Sequence, residues 1–428
     1  MGSALKYLNE LNALGSKPGL VRIKELLGRL DNPQDDLCTV HVSGTNGKGS
    51  FCAYLSSILT DSSYSVGIFT SPAVMDPYEI IRINNTFITD EKLTEVLDII
   101  APICNDMEKE GIGHPTRFEI ETAAAFMYFK MQGCDICIIE CGMGGKDDAT
   151  NVIAKPECCV FTSISMDHME YLGSTLKDIA ITKSGIITPG SLVISTSQDP
   201  AAAGVIEKVC YDRDCDLIIA DNKVADEDIT LDTRKRELCF VYDGCRYVSK
   251  LTGYYQVENA ILAITCAKAL SQRGFKISSD NIVNGIASAV NPGRFEILSD
   301  SPLFIIDGAH NKDAANKLAL SLKAADIKEA VFIFAFYKDK QFDEILKILL
   351  PFARAVVATE TPGSLRALPA INLADYIKEH YDIKVICEED AAKAVKSAED
   401  EASGLPVIAC GTLSDLAIIK KTFLGDRS

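Results

Sequence analysis

Apolar, β-rich runs and amphipathic stretches alternate along almost the whole chain. "CTVHV", "SVGIF", "CDICII" and "CCVFTSIS" read as strands, short apolar runs bounded by turn-forming or polar residues. After Gly47, "KGSFCAYLSSIL" spaces Phe51, Leu55, Ile58 and Leu59 at helical intervals. "TLKDIAITKSGII" reads as a helix with Ile179, Ile186 and Ile187 on apolar positions. Such alternation predicts an α/β protein with mostly parallel sheets. A chain of 428 residues is too long for one ordinary core, which implies two domains. "NPGRFEIL", residues 291 to 298, puts Pro and Gly between a helical stretch and a new strand. It is the expected boundary, dividing a first domain of residues 1–293 from a second of 294–428. The sequence shows no internal repeat and no low-complexity segment.

The strand ends carry the chemistry. "CTVHV" runs into Ser43-Gly44, "SVGIF" into Thr70-Ser71-Pro72, "CDICII" into Glu140-Cys141-Gly142, and "CCVFTSIS" towards Asp167-His168. Ligands of open parallel sheets bind at the carboxyl ends of strands. Four strands thus deliver a Gly loop, a Ser, a Glu and a His to one edge, a set suited to a phosphate and a hard metal ion. The loop lies within "HVSGTNGKGSFCAYL", residues 41 to 55. The common phosphate loop is spelled G-x-x-x-x-G-K-[ST]. Here Gly47-Lys48 is in place, but Val42 replaces the first Gly and Gly49 follows the Lys. A tight turn without a ligand would explain the glycines alone. The strand before and the helix after favour an anion, held by backbone amides, the helix dipole and Lys48, with Ser50 still in reach. Mg²⁺ takes oxygen ligands, which Ser71 and Glu140 supply. His168 is a less usual partner, and alone it would read as structural.

Composition narrows the function. Hydrophobic content of 47% and charged content of 24% are ordinary for a soluble globular protein, and no apolar run is long enough to span a membrane. The N-terminus has neither the charged start nor the apolar stretch of a signal peptide, so a cytoplasmic location is expected. A net charge of −17 argues against a nucleic-acid binder. It also obliges any anionic substrate to find local positive potential. The 15 cysteines are scattered and several lie inside apolar runs, as small buried hydrophobes do in a reducing compartment. Cys134-x-x-Cys137 has no second pair to complete a zinc site and sits in a strand-like segment. Cys158-Cys159 opens another strand and reads the same way.

The unusual loop spelling then finds a place. "SGTNGKGS" resembles the ATP loop of the Mur ligase superfamily, specifically of folylpolyglutamate synthase and dihydrofolate synthase. Further blocks follow in the same order. "FTSP" with "YEIIRIN", "PTRFEIETAAAFMYF", "IIECGMGGKDDATNVI", "TSISMDHMEYLGSTLKDIAITKSGII", "LTGYYQVENA", "NPGRFE" and "DGAHN" are each similar to a family motif. The resemblance implies a P-loop ATPase-like N-terminal domain and a smaller Rossmann-like C-terminal domain. It implies ATP-dependent ligation of L-glutamate to the carboxylate of a folate or of dihydropteroate, through an acyl phosphate. Carried over by position, Gly44, Thr45, Asn46, Gly47, Lys48, Gly49 and Ser50 would hold ATP, joined by Asn259, Arg294 and Asp307. Ser71, Glu140, His168 and a carbamylated Lys183 would bind Mg²⁺. His310 would lie near the reacting centre. Gly19, Leu20, Val21, Arg22, Thr116, Arg117, Phe118, Glu119, Asp147, Asp148 and Ala149 would contact the pterin. ATP is expected to join the two domains in a closed form, and the family suggests a monomer.

The chain departs from the family at Ala73 after Ser71-Pro72, at Lys146, at Asn291, at Lys312, and in the loosely matching "FAFYKDKQ". These bear on acceptor and glutamate recognition. Rival readings are a ligase with a changed acceptor and a non-catalytic ATP-binding regulator on the same scaffold. A cell-wall ligase acting on a UDP-linked peptide would need an N-terminal domain for which the early Gly loop leaves no room.

Overall fold

The computed structural model describes residues 2–221 and 223–425. Its first sheet is built from β1 (Thr39–Ser43), β2 (Val66–Phe69), β3 (Ile81–Ile83), β4 (Thr86–Phe87), β5 (Ile136–Glu140), β6 (Cys158–Phe161), β7 (Leu192–Thr196) and β8 (Asp216–Ala220). The order is β4-β3-β2-β5-β1-β6-β7-β8. All neighbours are parallel except β3, which pairs antiparallel with β2 and β4. Register sets the strand ends level: Val42 lies opposite Glu140, Ser43 opposite Phe161, and Phe69 opposite Ile139.

Side chains alternate across this sheet. Phe69, Cys137 and Ile139 pack into a core with the helices Ser3–Glu10, Val21–Arg29, Asp90–Lys109 and Arg117–Gln132. The helix Lys48–Asp61 lies against β1, β2 and β5. Phe51, Leu55, Ile58 and Leu59 are fully buried, and every other residue from Ser50 to Leu59 is buried too, on all sides of the helix. A helix buried all round is why its apolar pattern is broad rather than a single stripe.

Contacts divide the chain into two compact units. The first takes residues 2–221 and Glu258–Ile286, the second Lys223–Val257 and everything described from Ala287 on. The sequence-based boundary at 293/294 falls just after Ala287, but Lys223–Val257 joins the later unit and interrupts the earlier one. This inserted segment forms an antiparallel sheet of β9 (Ile229–Asp232), β10 (Glu237–Tyr242) and β11 (Cys245–Ser249). Leu231 and Tyr255 pack on the second core, Arg236 Nη2 donates to Leu298 O at 3.3 Å, and Thr252 Oγ1 donates to Phe295 O at 2.7 Å. No shift in composition announces such long-range packing.

The second unit's main sheet has β12 (Glu296–Asp300), β13 (Leu303–Ile306), β14 (Ala330–Phe334), β15 (Ala353–Ala358), β16 (Lys384–Cys387) and β17 (Val407–Cys410) in the order β12-β13-β17-β14-β15-β16. Only β12 is antiparallel. Its core is aromatic: Phe332, Phe334 and Phe336 stack with centroids 5.1 and 5.5 Å apart. Both units are therefore α/β with mostly parallel sheets. No helix among the described residues is long and apolar enough to cross a membrane.

Candidate active site

The Gly loop follows β1 and opens the helix Lys48–Asp61. Gly47 caps that helix at φ 93°, a left-handed conformation that favours glycine. A Cβ there would also come within 2.3 Å of Asn259 Oδ1, so Asn259 rests on the loop. The first i→i−4 bond of the helix runs from Phe51 N to Gly47 O at 2.9 Å, so the amides of Lys48, Gly49 and Ser50 precede the helical ladder and face out of its N-terminus. Thr45 N and Asn46 N donate to Ser163 O at 2.8 and 3.2 Å, and Thr45 Oγ1 donates to Ser165 O at 3.0 Å. The pattern predicted a strand through "CCVFTSIS", yet β6 stops at Phe161. Ser163 and Ser165 have left the ladder to brace the Gly loop.

Two lysines converge there. Lys48 Nζ donates to Gly44 O at 3.2 Å and to Thr45 O at 3.3 Å, and lies 3.8 Å from Glu140 Oε1. Lys183, from the end of the helix Leu176–Lys183, donates to the same Gly44 carbonyl at 2.6 Å. Lys183 is almost wholly buried. Burial first, and the Lys48 charge second, draw its pKa down to about 7. A near-neutral amine thus sits beside Lys48 at the N-terminus of the helix Lys48–Asp61.

Of the expected metal set, Ser71 follows β2 and Glu140 ends β5; the two strands are sheet neighbours and bring them to the same edge. Glu140 is buried. His168 lies on the loop after β6, its side chain 42% exposed and its Nε2 3.9 Å from Asp167 Oδ2. No group of three or more His, Cys, Asp or Glu is gathered for a metal among the described residues. The expected set draws only two members from those types. A buried carboxylate with a hydroxyl from the adjacent strand, next to a phosphate loop, is a donor pair that suits Mg²⁺.

The three expected pterin segments meet in the first unit. Gly19 N donates to Asp147 O at 3.1 Å, and Arg22 Nε donates to Glu119 Oε2 at 3.1 Å. Phe118 packs so closely on Gly142 that a Cβ there would lie 2.5 Å from the ring. Thr116 and Glu119 form a capping box that starts the helix Arg117–Gln132. Glu119 Oε2 takes Thr116 N and Oγ1 at 2.7 and 2.9 Å, whereas Oε1 is buried without a hydrogen-bond partner. Arg117 is engaged by Glu121, Asn9 and Asn12. Leu20 and Ala149 line the neighbouring core, Val21 is 76% exposed, and Asp147 is exposed. Asp148 turns inward and accepts from Met143 N at 2.8 Å and Thr150 N at 3.0 Å.

Asn259 belongs to the first unit, while Arg294, Asp307 and His310 belong to the second. Within that unit these three are neighbours. Arg294 Nη1 would lie 2.1 Å from a Cβ at Gly308, so the glycine makes room for the guanidinium. Both carboxylate oxygens of Asp307 are engaged: Oδ2 by Tyr255 OH and Phe295 N, each at 2.7 Å, and Oδ1 by Ala309 N at 2.8 Å. Phe295 is a fully buried aromatic at φ 47°, and Asp307 holds it there. His310 Nδ1 lies 2.8 Å from Gly308 O. A carbonyl only accepts, so Nδ1 carries the proton and Nε2 is the basic nitrogen.

Arg82 escaped the sequence reading. It pairs with Ile68 of β2 and points to the sheet face that carries Glu140 and the helix Lys48–Asp61. Its Nε is buried without a partner, and burial depresses its pKa against the pull of Cys52, Glu79 and Glu140. The available signal was an arginine at an inward position of "YEIIRIN".

Residues 42–267 match the Mur ligase middle domain, and residues 293–412 match the Mur ligase, glutamate ligase domain. The dihydrofolate synthase/folylpolyglutamate synthase of Bacillus subtilis (strain 168) is 33% identical over 95% of this chain and 95% of its own. The dihydrofolate synthetase of Saccharomyces cerevisiae is 32% identical over 92% of this chain and 95% of its own. The crystal structure of Mycobacterium tuberculosis folylpolyglutamate synthase complexed with ADP and AMPPCP superposes with a TM-score of 0.89 at 29% identity, covering 99% of both chains.

Proposed function

The chain belongs to the folylpolyglutamate synthase/dihydrofolate synthase family of Mur ligases, and on that premise we propose that it joins L-glutamate to both dihydropteroate and reduced folates in one acceptor site. The broader activity, ATP-dependent ligation of glutamate to a folate, is that of the family. The observation that carries the reading is the pair Lys48 and Lys183 on one carbonyl, at the N-terminus of a buried helix and beside Glu140.

The chemistry follows from those groups. The acceptor carboxylate attacks the γ-phosphorus of ATP, ADP leaves, and an acyl phosphate forms. The glutamate amine then loses a proton and attacks the acyl carbon, and phosphate departs. Lys48 and the amides of residues 48–50 offset the phosphate charge that concentrates in the first step. Mg²⁺, held by Ser71, Glu140, His168 and Lys183 as its carbamate, would add further neutralisation of phosphate oxygens. Glu119 Oε1, a buried acceptor without a protein partner, suits a heterocycle rich in N–H donors such as a pterin. His310, with Nε2 as its basic nitrogen, is the proposed acceptor of the amine proton. Arg294 and Asp307 are the second unit's proposed contributors to ATP use, Arg294 by charge and Asp307 by fixing the turn that carries His310.

One assay tests this. ADP release is measured with L-glutamate and with dihydropteroate, tetrahydrofolate or neither. Stimulation by both pterins is expected. Stimulation by one alone restricts the acceptor. ATP turnover that neither pterin stimulates would point to a changed acceptor, and ATP binding without turnover to a regulatory protein.

A further inference from the structure

β1 sends two side chains, His41 and Ser43, to the same sheet face, and both reach the loop that follows β5. Ser43 Oγ donates to Gly144 O at 2.7 Å. His41 is fully buried, with Nε2 2.9 Å from Thr150 Oγ1 and 3.2 Å from Cys141 Sγ. Thr150 Oγ1 in turn lies 2.6 Å from Asp148 Oδ1. A hydroxyl has one proton, and the short contact to a carboxylate claims it. Thr150 therefore accepts from His41, so His41 is the Nε2–H tautomer. Burial also pushes its pKa down to about 3, which keeps the ring uncharged.

The chain of bonds has one direction: His41 to Thr150 to Asp148, whose other oxygen takes Met143 N at 2.8 Å. What it fixes is the backbone from Cys141 to Lys146. That stretch begins directly after Glu140 and ends against Lys183. Lys146 N donates to Thr182 O at 2.9 Å, and Gly145 lies so close that a Cβ would come within 2.6 Å of Lys183 O. Thr45 and Asn46 of the Gly loop have further support of their own, from Ser163 O and Ser165 O.

We propose that His41 is a positioning residue for the ligase reaction: through Thr150 and Asp148 it sets the 141–146 backbone, and thereby the placement of Glu140 and Lys183 relative to the phosphate loop. Being fully buried, it would act without touching substrate. Its effect should fall on the phosphoryl-transfer step rather than on ATP affinity, because the cradle for the phosphates has its own support.

The inference rests on the ligase reading, so wild-type ADP release with glutamate and acceptor is established first; its absence would defeat that reading before any variant is made. In the active enzyme, His41→Leu and Thr150→Val each remove one link. Each is expected to lower kcat by about 10–100-fold while the KM for ATP moves by less than about two-fold. His41→Gln and Thr150→Ser restore a donor or a hydroxyl and are expected to recover most of the rate. The double variant His41→Leu/Thr150→Val should be no worse than either single one, since both break one chain. Thr150→Val conserves volume and carries the test alone if His41→Leu does not fold. Full activity in Thr150→Val, additive losses in the double variant, or His41→Gln as impaired as His41→Leu would overturn the proposal. So would a rise in the KM for ATP at unchanged kcat.

Discussion

Lys48 touches Gly44 O, Thr45 O and Glu140, so its removal withdraws the nearest cation from the phosphate loop while burying nothing new. Lys48→Ala should lower kcat by ~10²–10³ while leaving the fold intact. Near-normal turnover in the folded variant would show that the loop serves another purpose. Lys183 gives a second residue-scale expectation, with its sign fixed by burial. Its folded pKa is drawn to about 7 from 10.5, so between those values the unfolded chain binds the extra proton. Stability must then rise with pH across that window, and Lys183→Met should flatten the rise; thermal midpoints at several pH values decide it. The same near-neutral amine is the form that CO₂ modifies. Labelled bicarbonate should give a carbamate carbon signal in the wild type that Lys183→Met lacks. Glu119→Gln makes a third case. Exchanging its lone acceptor oxygen for an amide should raise the KM for the pterin by about ten-fold, one lost hydrogen bond to a charged group. An unchanged KM would remove Glu119 from the acceptor site.

At the scale of elements, the helix Lys48–Asp61 is held by backbone as much as by side chains. Gly285, in the helix Ser279–Ser288, sits so close that a Cβ would lie 2.4 Å from Ile58 Cα and 2.6 Å from Ile58 N. Backbone cannot swing aside as a flexible side chain can. Gly285→Ala should therefore force the helices apart, destabilising the first unit by about 1–3 kcal/mol, seen as a lower thermal midpoint. A midpoint equal to that of the wild type would mean the helices part without cost. The four strands read around the Gly loop and the helix after it were legible in the sequence because their signals are local, whereas the helix read through "TLKDIAITKSGII" stops at Lys183, short of Ile186 and Ile187. Short apolar runs and the glycine before Lys48 each act within a few residues. The end of β6 was not legible. "CCVFTSIS" has the composition of a longer strand, but Ser163 O is taken by the amides of Thr45 and Asn46, more than a hundred residues earlier in the chain.

For the whole molecule, a net charge of −17 sets ATP against the bulk of the protein, so its binding is expected to depend on local positive charge such as that of Lys48. ATP at 100 times its Kd should stabilise the native chain by ~2.7 kcal/mol. Calorimetry should show that shift in the wild type, and Lys48→Ala should lose most of it; an equal shift in both would place the nucleotide elsewhere. The sequence by itself determined the α/β class, the strand-end logic and the ordered motifs that mark the family, because each is written in neighbouring residues. Only tertiary structure decided that Lys223–Val257 packs with the later unit, and that Gly19 meets Asp147 and Arg22 meets Glu119. It alone showed that Lys48 and Lys183 share a carbonyl, and that His41 is tied to Asp148 through Thr150. These are pairings between residues far apart in the chain. Their free energy comes from burial and from hydrogen bonds that form only when the sheet has set its register, and no local pattern of residues encodes which distant partner a side chain will find.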